Sequence, residues 1–282
     1  MFGKVSDTER IAESWELSVH TEGVNFTEHN MPLDEVLTPQ MLGKYSNGKL
    51  GVLVKFLNAA ENLSVQVHPN DAYAKQFCCS GKREMWYILD CEPGSKIYCG
   101  FKKDMCVEVL QEALDSGTIL EHLNAIKVKP GDSFFIETGT IHAIGKGITL
   151  CEVHQSSNLT YRLYDYGRLG KDGSPRDLHI KEALEVCNLK QSMPQVLGET
   201  LGDGYRRLVR CKQFSVFEWA VQGTSELEDK DSFMSVTVVE GSGQMNGRTV
   251  TKGETYFVPC GCVISVESEY CKMIVAKVEG FC

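Results

Sequence analysis

The feature that most constrains the fold is a dense series of short, strand-like runs, each closed by Gly, Asn, Asp or Pro. KLGVLVKFLNA, LSVQVH, EMWYILD, SKIYCGF, AIKVKPGDSFFIETG, GITLCEVHQ and LTYRLYD follow one another between residues 49 and 165. β-branched and aromatic residues fill these runs, and the punctuation between them is turn-forming. That density predicts a β-sandwich or barrel, not an alternating α/β sheet. Helical periodicity is confined to four places. Pro32 to Tyr45 carries one short helix interrupted at Pro39, and a second helix starts at the N-cap Asn70. A third spans Met105 to Gly117, with Val109, Leu110, Ala113 and Leu114 on one face. The fourth begins at Ser174, with Leu178, Ile180, Ala183, Leu184 and Val186 as its apolar side.

After Asn188 the run LKQSMPQVLGETLGDGYRRL reads as a polar connector, and a second strand-rich block follows it. Gly253-Glu-Thr-Tyr-Phe-Val-Pro repeats the cadence of Gly131-Asp-Ser-Phe-Phe-Ile-Glu: a turn glycine, an acid, then large β-formers. The second copy has no histidine. This pattern implies an internal duplication in which residues 1–188 form a metal-bearing domain and residues 189–282 a domain without ligands.

Three pieces of the first block combine into one candidate metal site. Gln66 and His68 are two apart, so on a strand they share a face, as does Ser64. Glu84 opens EMWYIL, and His142 closes GDSFFIETGTIH. An amide oxygen, a carboxylate and two imidazoles suit a borderline divalent ion such as Zn²⁺ with an open position. A single histidine in a strand is more often a hydrogen-bonded structural residue, and that reading holds for His20, His29, His122 and His179; His154 lies nearer the site.

Composition excludes several classes. With 29 basic against 38 acidic residues the formal charge is −9, which argues against a nucleic-acid or anionic-membrane partner. No apolar leader or membrane-length run is present, so a cytoplasmic location is expected. The twelve cysteines are scattered without a CxxC pair and are expected to be reduced thiols.

The run from Gly131 to His142 approximates a cupin signature, with Glu137 at its Pro position and Gly139 and His142 in their slots. Over a longer span the chain resembles the type I mannose-6-phosphate isomerases in their short bacterial form. ESWELSVH, FLNAAENLSVQVHPND, GKREMWYILD and PGDSFFIETGTIHAIGKGITLCEVHQSSNLTYRLYDYGR carry that resemblance. It implies a mainly β fold of two tandem cupin-type jelly-roll barrels with a few short helices, and one zinc ion per chain held by Gln66, His68, Glu84 and His142. It further implies Arg162, Glu152 and Lys82 as catalytic residues, with Ser64, Asn158 and Arg168 lining the substrate cavity. The implied substrate is a small phosphosugar, mannose 6-phosphate exchanging with fructose 6-phosphate by proton transfer between C1 and C2; Glu152 is the first choice of base, with Lys82 or a zinc-bound water as rivals, and a hydride shift stays open. The resemblance departs at the start: family members usually begin earlier, with a further strand and a Trp-Gly-Gly segment, so either the start is shortened or another segment takes that edge. Two other functions fit a cupin metal site, an iron-dependent oxygenase and a non-catalytic sugar-binding protein. Gln66 as a fourth ligand and the basic Lys82 and Arg162 fit a phosphosugar better than an oxygenase substrate, and the presence of both Glu152 and Arg162 argues against a non-catalytic protein.

Overall fold

The computed structural model describes residues 2, 4, 11–170, 173–193, 195–196, 198–202 and 204–280, and the protein is mainly β. Its residues cluster into two compact units. One comprises residues 57–150 and 157–196, the other residues 1–56, 151–156 and 197–282.

The first unit holds a five-stranded sheet in the order Tyr161–Tyr164, Val65–Val67, His142–Ile144, Lys96–Phe101, Leu123–Lys127. Strand alternation gives this sheet two different faces. Val65, Val67, Ala143 and Leu163 point to one side, where Leu110, Ala113 and Leu114 of the helix Val107–Asp115 and Ala183 of the helix Ile180–Val186 cover them. Cys99, Ile97 and Ile144 point to the other side and pack with Trp86, Ile88, Phe134 and Ile136. Those four come from the strands Glu84–Cys91 and Ser133–Ile136, which pair antiparallel with Glu84 opposite Ile136 and Trp86 opposite Phe134. Each such side chain, fully buried, stabilises the fold by about 1.5–3 kcal/mol, enough together to hold a few polar groups inside.

The second unit contains a seven-stranded antiparallel sheet. Its long strands Ser215–Glu228, Met234–Met245 and Val263–Lys277 surround a core of Trp219, Val236, Val238, Val266, Met273 and Val275. Here the repeated sequence cadence becomes a repeated hydrogen-bond pattern. Gly131 N–H donates to Ile88 O and Ile88 N–H to Asp132 O; Gly253 N–H donates to Val238 O and Val238 N–H to Glu254 O. Both glycines have positive φ, 87° and 96°, which a side chain would strain. Counting along both copies from these anchors, Met234 falls where Glu84 stands and Ile264 where His142 stands. Met234 pairs with Val258 as Glu84 pairs with Ile136. Both replacements are buried in the second unit's core.

Three expectations need correction. The helix expected from Ser174 is confined to Ile180–Val186, because Pro175 bridges Leu169 and the His179 N–H donates to Arg162 O. Val109 and Leu178, expected on buried faces, are exposed. The expected connector contains the strands Glu199–Gly202 and Tyr205–Arg210, paired with each other. Among the described residues, all eleven cysteines are free thiols and no helix is long and apolar enough to cross a membrane.

Candidate metal centre and active site

His142 is the cross-strand partner of Gln66 on one side and of Cys99 on the other, and Gln66 is in turn the partner of Arg162. Directly paired residues project from the same face, so Arg162, Gln66 and His142 form a row across three strands. Val65 and Val67, buried on the opposite face, fix that orientation; a slip of one residue would turn the whole row outward.

His68, Glu84 and His142 are buried, and their candidate donor atoms lie within 4.8 Å of one another. His68 Nε2 stands 3.3 Å from Glu84 Oε2, and His142 Nε2 stands 3.2 Å from Glu84 Oε1. Each imidazole is oriented from behind: His68 Nδ1 donates to Leu159 O at 3.0 Å and His142 Nδ1 to Thr140 O at 2.8 Å. A carbonyl oxygen only accepts, so the ring proton sits on Nδ1 and the Nε2 lone pair faces the carboxylate. The His68 lone pair also meets Lys82 Nζ, and the His142 lone pair Gln66 Nε2, each at 3.3 Å. Glu84 Oε1 itself is buried and accepts no hydrogen bond.

This donor set fits a divalent ion, since Zn²⁺ bonded at about 2.0–2.1 Å in tetrahedral geometry sets its donor atoms about 3.3 Å apart. Gln66 Nε2 lies 3.3 Å from His142 Nε2, which brings the amide to the same point, and Ser64 Oγ donates to Gln66 Oε1 at 3.4 Å. Cys99 offers no thiolate, because burial and the Glu84 carboxylate push its thiol up to about 12.

Lys82 donates to Glu84 Oε2 and lies 3.3 Å from His68 Nε2. Burial alone would raise the Glu84 carboxyl, but the Lys82 ammonium beside it holds it well below the usual carboxylate range. Burial, followed by the Lys82 charge, pulls the His68 imidazole down to about 3. Between about pH 6.5 and pH 3 the unfolded chain therefore protonates this histidine while the folded one does not, and stability falls with acidification. The Glu84 contribution acts in the same direction, being present above about pH 4.5 and lost as pH drops through its folded value. Chemical denaturation of the metal-free protein is expected to show roughly 2 kcal/mol less stability at pH 5 than at pH 6.5 from His68 alone. A flat profile over that range would contradict a neutral buried His68.

The other expected site residues are distributed as follows. Arg162 is half-buried and lines a cleft with Arg176 and His179, and its Nε is buried without a hydrogen-bond partner. Arg168 donates to Asp165 and lies over the Tyr166 ring at 5.7 Å. Asn158 is exposed. Glu152 belongs to the second unit, where it is buried with Lys55 Nζ at 3.4 Å and His154 Nε2 at 3.5 Å from its Oε1. Lys55 and Arg176 were not among the expected residues. Lys55 carries a usable signal, a lone charge inside the apolar run VLVKFL, whereas Arg176 sits in a polar turn that looks like any surface loop. Glu137, at the Pro position of the cupin signature, is an exposed partner of Arg83 at 2.9 Å; the second copy has Pro259 there.

Comparison with known proteins places the chain in a family. Residues 3–94 match the phosphomannose isomerase type I catalytic domain, and residues 205–277 match the mannose-6-phosphate isomerase cupin domain. Mannose-6-phosphate isomerase ManA of Bacillus subtilis (strain 168) is 36% identical over 276 residues, spanning 92% of this chain and 87% of that protein. The crystal structure of the mannose 6-phosphate isomerase from Bacillus subtilis superposes with a TM-score of 0.87 at 30% identity, covering 98% of this chain and 92% of the other. A zinc-bound mannose 6-phosphate isomerase shares the fold with a TM-score of 0.75 at 16% identity, over 96% of this chain and 91% of that one. The chain belongs to the type I mannose-6-phosphate isomerases.

Proposed function

We propose that this chain interconverts mannose 6-phosphate and fructose 6-phosphate at a zinc site formed by Gln66, His68, Glu84 and His142. The observation that carries the proposal is the buried set of two oriented imidazoles around Glu84, in one row with Arg162. Gln66 would hold the ion through its amide oxygen, the only donor atom an amide offers a metal. When bound, Zn²⁺ supplies a Lewis acid for substrate oxygens and lowers the cost of negative charge developing there.

The remaining work falls to the protein. Lys82, hydrogen-bonded to Glu84, fixes the ligand carboxylate and brings a positive charge to the site. Arg162 offers a guanidinium fork to an oxyanion or a phosphate. Aldose–ketose exchange needs one proton moved between C1 and C2, and Glu152 is our choice for the group that takes it from one carbon and returns it to the other. Arg168 and Asn158 complete the substrate cavity in this reading. The same reading assigns two tandem cupin barrels, the zinc-bearing one within residues 1–188 and a ligand-free one in 189–282; the repeated turn and strand pattern supports it.

A coupled assay with mannose 6-phosphate, before and after chelation and again with Zn²⁺ added back, tests the proposal. Activity lost on chelation and restored by zinc is expected; activity indifferent to chelation would refute it, and oxygen uptake in its place would favour the iron oxygenase. Arg162→Ala is expected to keep its metal while losing turnover about a hundredfold, the usual scale for one transition-state donor. Metal analysis beside the kinetics reads both halves of that expectation.

A further inference from the structure

We propose that Arg176 and the Nε2–H of His179, together with Arg162, form the subsite that takes the phosphate of the substrate. The three line one cleft of about 340 Å³ in the metal-bearing unit. The inference rests on the phosphosugar reading above and says which groups hold the phosphorylated end.

Donors dominate the cleft. Arg162 brings a buried Nε–H without a partner. Arg162 N–H donates to His179 Nδ1 at 3.3 Å, which leaves the ring proton of neutral His179 on Nε2. Arg176 Nη1 lies 3.4 Å from Asp165 Oδ2, and Arg168 donates to the other oxygen of the same carboxylate. Asp165 therefore serves two guanidiniums and neutralises neither fully. Counting Arg162, Arg168 and Arg176 against Asp165 and Asp177, the neighbourhood keeps one net positive charge. Burial and then the charge of Arg176 both work against the Arg162 guanidinium, which an incoming dianion would relieve. Guanidinium forks match the oxygens of a phosphate monoester, and their hydrogen bonds to it are charge-assisted.

The position suits the substrate as well. Arg162 and His142 are separated by one intervening strand, so their backbones stand about 10 Å apart at the usual strand spacing. A hexose with its reacting carbons at the metal can reach that far with the phosphate on C6. Arg162 thus belongs to both ends: it lines the cleft, its backbone pairs with His179, and its strand position is in register with Gln66 and, through it, His142.

The test separates this subsite from the catalytic reading. Calorimetric titration with inorganic phosphate probes the cleft directly, while kinetics with mannose 6-phosphate and with unphosphorylated mannose probe its use. For Arg176→Ala, phosphate affinity is expected to fall at least tenfold and KM for mannose 6-phosphate to rise by a similar factor, with kcat changed less than twofold. His179→Asn, whose side-chain oxygen can still accept from Arg162 N–H, is expected to show a smaller loss of the same kind. Arg176→Lys keeps the charge without the fork and is expected to fall between wild type and Arg176→Ala, which guards against a variant that merely unfolds. Unchanged phosphate affinity and KM in Arg176→Ala, or a loss of kcat alone, would overturn the subsite. An enzyme inactive on mannose 6-phosphate that still binds phosphate through Arg176 would sink the isomerase reading and keep the anion site.

Discussion

Replacing His142 by alanine is expected to remove bound zinc and isomerase activity together, activity falling by well over a hundredfold. The scale follows from comparison: groups that only orient metal ligands typically cost 10–100-fold when removed, and His142 contributes a ligand atom itself. Its position makes substitution by a neighbour impossible. His142 is held by the Thr140 carbonyl behind it and by strand pairing on both sides, and Trp86 meets its ring edge-on at 5.5 Å. Alanine keeps the strand and the register but leaves one imidazole, one carboxylate and the neutral amide of Gln66, a weaker set than the His and carboxylate donors that zinc favours. Zinc content by atomic emission and turnover by the coupled assay should fall in the same proportion. A variant that retained its zinc but lost turnover would make His142 a substrate contact instead of a ligand.

The candidate cluster of His68, Glu84 and His142, with Gln66 beside it, was legible in the sequence because its physics is short-range. Gln66 and His68 share a face by strand alternation, and Glu84 and His142 are each embedded in runs whose apolar residues dictate which way the next side chain points. The partners that orient the ligands were not legible. Leu159 and Thr140 act through backbone carbonyls, and every residue has one. Arg176 and His179 come together with Arg162 because Pro175 bridges Leu169 and the His179 backbone pairs with Arg162. The helical periodicity after Ser174 concealed this: Leu178 and Ile180 fit an apolar face, but the chain from Ser174 to His179 pairs with neighbouring strand and loop residues instead of with itself. The strand pair within the expected connector was hidden for a related reason. Glu199–Gly202 is exposed along its whole length, so its sequence lacks the alternation that marks a half-buried strand.

The duplication supplies the second large effect. Met234 occupies in the second unit the place that Glu84 holds in the first, and the surroundings differ in the one respect that matters. Around Glu84 are an ammonium and two imidazoles; around Met234 are Val236, Val258, Ile264, Val275 and other apolar side chains. A carboxylate introduced there enters an apolar core whose neighbouring cation, Lys277, is already paired with Asp229 and Glu279. Met234→Glu is therefore expected to lower unfolding stability by about 3–5 kcal/mol, the usual penalty of an uncompensated buried charge. That is a large part of the 5–15 kcal/mol that stabilises a typical domain. Met234→Leu, which conserves shape and polarity, should cost less than about 1.5 kcal/mol. Urea denaturation followed by tryptophan fluorescence reports on this core through Trp219, buried within the same cluster. An unchanged midpoint for Met234→Glu would mean that this position is open to water or to a cation. The second copy would then be a potential metal site in its own right, and the contrast between Glu84 and Met234 would no longer separate the two units.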